Sequence, residues 1–210
     1  ASLVDQFVNE DTAFSFTIPE ETFADVDLIH GDALGYGASL AGGGSLPAWL
    51  TFDAAIRTFS GTPDNGDVGV LDVMVTVTDL GGLSVTGLLA LTVENVNDAP
   101  TVVIPIADQT AAEDDPFSLT IPADTFADDD ARHGEVLSYQ AMLADGRPLP
   151  AWLSFNSTTR VFSGIPGPGD AGTLQIAVAA TDASQVSVSD EFVLAISGPL
   201  PKTLVGTSGN

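Results

Sequence analysis

A shift of 103 residues lays the first half of this chain on its second half without a gap, and no other feature restricts its folding so strongly. Phe14-Ser15 meets Phe117-Ser118, Thr17-Ile18-Pro19 meets Thr120-Ile121-Pro122, and Phe23-Ala24-Asp25 meets Phe126-Ala127-Asp128. Further on, Leu46-Pro47-Ala48-Trp49-Leu50 returns as Leu149-Pro150-Ala151-Trp152-Leu153, Phe59-Ser60-Gly61 as Phe162-Ser163-Gly164, and Thr78-Asp79 as Thr181-Asp182. About half of the aligned positions are identical. Two copies of one sequence build two copies of one fold, so the 210 residues divide into two domains of ordinary size and not one large core. The expected divisions are residues 1–98, a domain with its connector, then 99–198, the second domain, and 199–210, a tail.

Within a copy the apolar residues alternate. Phe14, Phe16 and Ile18 are interleaved with Ser15 and Thr17, Leu34 to Leu40 repeats the pattern, and Val73, Val75 and Val77 share one face of the run from Val70 to Thr78. Period-two alternation puts successive side chains on opposite faces of a strand, one buried and one wet. With shorter runs at Leu50 to Phe52 and Ile56 to Ser60, and a closing run from Leu83 to Val93, each copy has six or seven short strands and no helical period. The expected fold is all-β: two tandem immunoglobulin-like, Greek-key β-sandwiches joined head to tail. The chain contains no cysteine, so these sandwiches hold by packing alone.

Charge then narrows the partners. Twenty-nine acidic residues against five basic ones give a formal charge of −24, which repels phosphate backbones and anionic head groups; nucleic acid is excluded as a partner. Eighteen consecutive apolar residues occur nowhere, so membrane insertion by a helix is not expected either. The carboxylates recur at equivalent positions in both copies, and such clustering calls for a divalent counter-ion.

Between the copies lies Glu94-Asn95-Val96-Asn97-Asp98-Ala99-Pro100. A flexible joint is rich in glycine and serine; this one concentrates oxygen ligands and ends in a proline that fixes an extended exit. Residues at strand ends collect at the two poles of a sandwich. Glu10 and Asp67 precede strands and the connector residues Glu94, Asn95, Asn97 and Asp98 follow one, so all gather at one pole of the first copy. Asp128, Asp130 and Asp182 belong to the opposite pole of the second copy, and head-to-tail stacking presents the two sets to each other. Calcium accepts six to eight carboxylate and carbonyl oxygens in irregular geometry, and this set suits it. Asp25, Asp27 and Asp79 form the corresponding pole of the first copy, incomplete without a preceding domain.

Other residues have plainer readings. Trp49 and Trp152, beside Phe52 and Phe59 and their counterparts, are expected in the core and not on a sugar-binding surface. Arg57 and Arg160 coincide and are read as structural braces on a backbone or carboxylate partner; His30 and His133 coincide as polar loop contacts, since one histidine per copy without cysteine is a poor zinc site. Paired carboxylates such as Asp25 with Asp27 do not make a glycosidase without a cleft and unequal environments, and no nucleophile-base pair is present, so the chain is not expected to be an enzyme.

The connector resembles the Asp-x-Asn-Asp-x-x-Pro linker of cadherins, with Glu94 where that pattern has aspartate; Phe126-Ala127-Asp128-Asp129-Asp130 resembles their Asp-x-Asp element and Ala180-Thr181-Asp182 their Ala-x-Asp element. The Leu-Pro-x-Trp-Leu, Phe-Ser-Gly-x-Pro and Thr-Asp strings are similar to the dystroglycan-type cadherin-like domains common in bacterial secreted proteins. This resemblance implies extracellular or cell-surface tandem modules whose interdomain Ca2+ rigidifies the array for adhesion. Partners would be calcium, adjacent domains of a longer chain, and a cell-surface protein or polysaccharide. The arginine-containing element of animal cadherins is missing, leaving Asp67 as its substitute. After the second copy the connector is replaced by Ser197-Gly198-Pro199-Leu200-Pro201, so no comparable cluster is expected near Glu113 and Asp170, and the tail from Leu204 to Asn210 resembles the opening of a glycine-rich calcium repeat. The alternative function is a carbohydrate-binding module of a secreted polysaccharide-degrading protein, which would need exposed aromatic rings.

Overall fold

The structure, a computed structural model, describes residues 3–199. The expected reading of the last twelve residues as a separate tail with a calcium-repeat opening falls, apart from Pro199, outside the described residues. The chain divides between Val96 and Asn97, two residues before the expected boundary, because Asn97 and Asp98 hydrogen-bond within the second unit.

In the first unit, strands β1 (Gln6–Asn9), β2 (Phe14–Thr17), β3 (Gly35–Leu40), β4 (Leu50–Asp53), β5 (Thr58–Gly61), β6 (Gly69–Thr78) and β7 (Ser84–Glu94) form two sheets. The larger has the order β1-β7-β6-β3, with β1 parallel to β7, and the smaller β2-β5-β4. Alternation decides which side chains meet between them: Val73, Val75 and Val77 of β6 and Leu89, Leu91 and Val93 of β7 turn inward beside Phe14, Ile18, Leu50 and Phe59. Burying such side chains contributes roughly 1.5–3 kcal/mol each, the main favourable term in a domain that has no disulfide.

The second unit repeats this with one added pair of two-residue strands. Its strands are β8 (Thr101–Val102), β9 (Gln109–Ala112), β10 (Phe117–Thr120), β11 (Phe126–Ala127), β12 (Ser138–Leu143), β13 (Leu153–Asn156), β14 (Val161–Gly164), β15 (Gly172–Thr181) and β16 (Ser187–Ser197). Sheets β12-β15-β16-β9 and β10-β14-β13 enclose Ile121, Phe162, Ile176, Val178, Phe192 and Leu194, with Phe162 and Phe192 edge to face at 5.7 Å. The additional pair, β8 antiparallel to β11, ties the chain leaving Pro100 to the strand that leads into Asp128.

The Phe-Ser-Gly string has a steric cause. A Cβ on Gly61 would stand 1.8 Å from the carbonyl oxygen of Trp49, and one on Gly164 1.9 Å from that of Trp152. Both tryptophans are half-buried and pack on their cores, as expected. Arg57 and Arg160 stack over Tyr36 and Tyr139 at 5.8 and 5.5 Å, so the brace is a cation–π contact, joined in the first unit only by a 3.9 Å ion pair to Glu20.

Candidate metal centre

In the second unit the connector is drawn over an acidic loop. With β8 paired to β11, the backbone N–H of Asp98 donates to Asp130 Oδ2 at 2.7 Å, and Asn97 Nδ2 donates to Asp182 Oδ2 at 3.0 Å. Asp182 holds its own hairpin closed with its other oxygen, which accepts from Val186 N at 2.7 Å. Asp128 caps the 3₁₀ turn Asp129–His133 by accepting from Asp130 N at 3.0 Å. Gly134 then ends that turn in the left-handed region, φ 95°, a conformation glycine enters without steric cost. The reversal brings back Glu135, whose Oε1 accepts from Ala183 N at 2.6 Å.

Asp128, Asp130 and Glu135 thereby each offer a carboxylate oxygen within 4.8 Å of the others. Asp130 and Asp182 are 2% exposed and Asp128 9%. Asp128 Oδ2 and Asp130 Oδ1 are buried without a hydrogen-bond partner, and among the described residues no ion pair reaches any carboxylate of the group. Burial, then the charges of Glu135, Asp130 and Asp182, push the Asp128 carboxyl above its ordinary range against the hydrogen bond from Asp130 N. Unpaired buried carboxylate oxygens are expensive. A hard cation with oxygen preference removes that cost; the donors are all oxygens, as calcium requires, and the residues fit that ion.

The first unit carries two further sets. Glu10, 1% exposed, accepts from Val96 N at 2.7 Å through Oε1 and leaves Oε2 buried without a partner. Asp67 uses Oδ2 to accept from Asp64 N at 3.0 Å, closing a capping box on the turn Asn65–Asp67. Glu94 and Asn95 are exposed; the backbone oxygen of Glu94 accepts from Glu10 N at 3.0 Å. At the other pole Asp25, Asp32 and Asp79 form a trio like that of the second unit. Asp27 is exposed and stands outside it, donating its backbone N–H to Asp25 at 2.7 Å.

Asp32 and Glu135 were missing from the candidate residues. The signal was available, a carboxylate following His-Gly in both copies, but its meaning depends on the left-handed turn at Gly31 and Gly134. Glu113 also differs from its counterpart Glu10: its Oε1 accepts from Gly169 N at 2.7 Å and Ala171 N at 3.0 Å, a carboxylate satisfied by its own domain.

Two tandem sandwiches of this kind match a single family model, described as Putative Ig domain, over residues 1–94 and again over 99–197. The chain belongs to the Putative Ig domain family. Among curated relatives of these Ig-family domains is the "Serine-rich adhesin for platelets" of Staphylococcus aureus, 30% identical over 165 residues, covering 79% of this chain and 6% of that protein. In the strain MRSA252 form the same match covers 11% of the relative. The chain therefore spans a small fraction of the proteins it resembles. Solved structures similar to it include human CDH23 EC21-23, with a TM-score of 0.61 at 17% identity, covering 92% of this chain and 72% of that one. Human Mucin-like Protocadherin EC1-2 gives 0.58 at 18% identity, with 93% and 95% covered. Drosophila N-cadherin EC1-4 gives 0.57 at 17%, with 91% and 47% covered. At these identities the Ig-family domains share the fold of cadherin repeats.

Proposed function

We propose that this chain is a calcium-binding structural segment of a larger extracellular or cell-surface adhesin, in which the ion stiffens the connection between tandem domains. The observation that carries this reading is the pair of buried, unpartnered oxygens, Asp128 Oδ2 and Asp130 Oδ1, within a group of carboxylates that no cation neutralises among the described residues. Asn97 and Asp98 are hydrogen-bonded to that group, so an ion held there restrains the connector as well as the loop. Asp128, Asp130, Glu135 and Asp182 are the ligands proposed in the second unit; Glu10, with Asp67, Glu94 and Asn95, supplies the carboxylate and connector oxygens of the first. Asp25, Asp32 and Asp79 would serve a preceding domain in the same way.

The adhesive role is supported by the name of the staphylococcal relative and by the cadherin fold, and the dystroglycan-type affiliation by the Trp- and Gly-containing strings. Among the described residues no helix is long and apolar enough to cross a membrane. The protein acts by holding shape, and no reaction is assigned to it.

Isothermal titration of calcium into metal-stripped protein tests the reading. Saturable binding of at least one ion, lost in Asp128→Ala and Asp130→Ala, is expected. Absence of any calcium-dependent heat would end the proposal.

A further inference from the structure

The two copies differ in chemistry around the paired arginines Arg57 and Arg160. In the second unit an open cavity of about 710 Å³ is lined by Ser138, Tyr139, Ser157, Thr158 and Arg160, by the apolar Val136 and Leu137, and by the carboxylates Asp128 and Glu135. In the first unit the aligned positions of its three hydroxyl residues, Ser138, Ser157 and Thr158, are Gly35, Ala54 and Ala55. The arginine is kept as Arg57, but there it is ion-paired to Glu20; the position aligned with Glu20 in the second copy is Ala123, and among the described residues Arg160 has no ion pair. Every one of these changes adds or releases a polar group into the same space.

Arg160 is well placed to recognise an anion. It adopts φ 57°, its backbone oxygen accepts from Ile121 N at 2.9 Å, its Nε lies 3.5 Å from the oxygen of Ile121, and its guanidinium rests 5.5 Å from the Tyr139 ring centroid. A guanidinium oriented in this way presents a planar fork that matches a carboxylate through two parallel hydrogen bonds. Hydroxyl side chains both donate and accept, which suits a polyol. Ser138 already donates to the Thr181 oxygen at 3.1 Å and so offers its lone pairs. Val136 and Leu137 supply an apolar wall for the face of a sugar ring.

We infer that the cavity of the second unit binds a carboxylate-bearing saccharide residue of the uronic-acid type, with Arg160 holding the carboxylate and Ser138, Ser157 and Thr158 the ring hydroxyls, a set the first unit lacks. Tyr139 orients Arg160 and is not a stacking platform, since the guanidinium covers it. The inference rests on the calcium reading in one respect: an ion at Asp128 and Glu135 neutralises two carboxylates that line the cavity and would otherwise oppose an anion in it. Outside the cavity the chain's overall charge is damped by salt, with a screening length of about 8 Å at physiological ionic strength.

The test is titration of a glucuronic-acid trisaccharide into calcium-loaded protein, followed by backbone amide NMR shifts. Shifts confined to residues 136–139 and 157–160, with affinity at least tenfold above that for the neutral glucose trisaccharide, are expected. Ala123→Glu, which installs the carboxylate that lies 3.9 Å from Arg57 in the first copy, should weaken binding by about two- to fivefold while leaving the calcium-dependent melting shift unchanged. Arg160→Asn, asparagine tolerating the left-handed backbone, should weaken it at least tenfold with that shift likewise unchanged, and Arg57→Asn should leave uronate binding unchanged. Undiminished binding in Ala123→Glu and Arg160→Asn, equal affinity for triglycine, or tighter binding of a sulfated glucose trisaccharide would overturn the assignment. A calcium-dependent melting shift without uronate binding defeats this inference alone; uronate binding without any calcium effect supports it and defeats the calcium reading alone.

Discussion

Asp98 and Asp130 meet across 2.7 Å: the backbone N–H of the connector residue donates to one oxygen of the loop carboxylate, while the other oxygen is buried with nothing to accept from. One half of Asp130 thus anchors the connector, and the other half makes no hydrogen bond.

Metal removal should be visible in stability. Calcium that binds only the folded protein stabilises by about 2.7 kcal/mol at a hundredfold excess over its dissociation constant. Calorimetric melting should show the second domain's transition raised by calcium and returned by EDTA. Identical transitions in the two conditions would contradict the site.

Asp130→Asn separates the two duties of that side chain. The amide keeps an acceptor for Asp98 N–H and removes a buried charge, so the metal-free variant should melt at or above the wild type. In saturating calcium the order should reverse, because the variant loses a ligand. A variant less stable than wild type in both conditions would argue that Asp130 serves packing alone.

The raised Asp128 carboxyl gives a pH dependence with a defined sign. In EDTA the folded state holds this proton more tightly than the unfolded chain, so the group costs stability at neutral pH. That cost is relieved as pH falls through the raised folded value toward the ordinary value of 3.8. The melting gap between wild type and Asp128→Asn should therefore narrow on acidification in EDTA. In saturating calcium wild type should instead be the more stable of the two at neutral pH, and that advantage should shrink on acidification, since protons then compete with the ion for the carboxylate.

Position along the chain should matter as well. Asp128→Ala should reduce calcium affinity more than Asp25→Ala, because the pole of Asp128 is hydrogen-bonded to connector residues and buried, whereas Asp25 is only half-buried. Small-angle scattering should show the maximum dimension of the pair of domains becoming more variable for Asp128→Ala and Asp182→Ala in calcium. Equal effects from Asp25→Ala would refute this ranking.

Gly61→Ala and Gly164→Ala test the fold itself. Each new Cβ meets the carbonyl of a tryptophan, an immovable backbone atom, so a loss of about 3 kcal/mol is expected, confined to the transition of the mutated domain. Chemical denaturation followed by tryptophan fluorescence, with one tryptophan per domain, reads it directly.

Repetition and alternation alone determined the two sandwiches. A shift of 103 residues and a period of two are local regularities, and the hydrophobic effect acts on them in the same way wherever they occur. The recurrence of acidic residues at equivalent positions, Asp128 and Asp130 among them, was legible for the same reason. What the linear order concealed depends on through-space neighbours. Asp27 and Asp130 align, yet one is exposed and the other buried, because only the second has Asn97 and Asp98 folded onto its loop. Glu135 joins the carboxylates only because Gly134 turns the chain back, and Arg160 is released only because Ala123 replaces the glutamate that engages Arg57. Burial, coordination and charge pairing are set by distances of a few ångströms between residues far apart in sequence, and these distances exist only once the chain has folded.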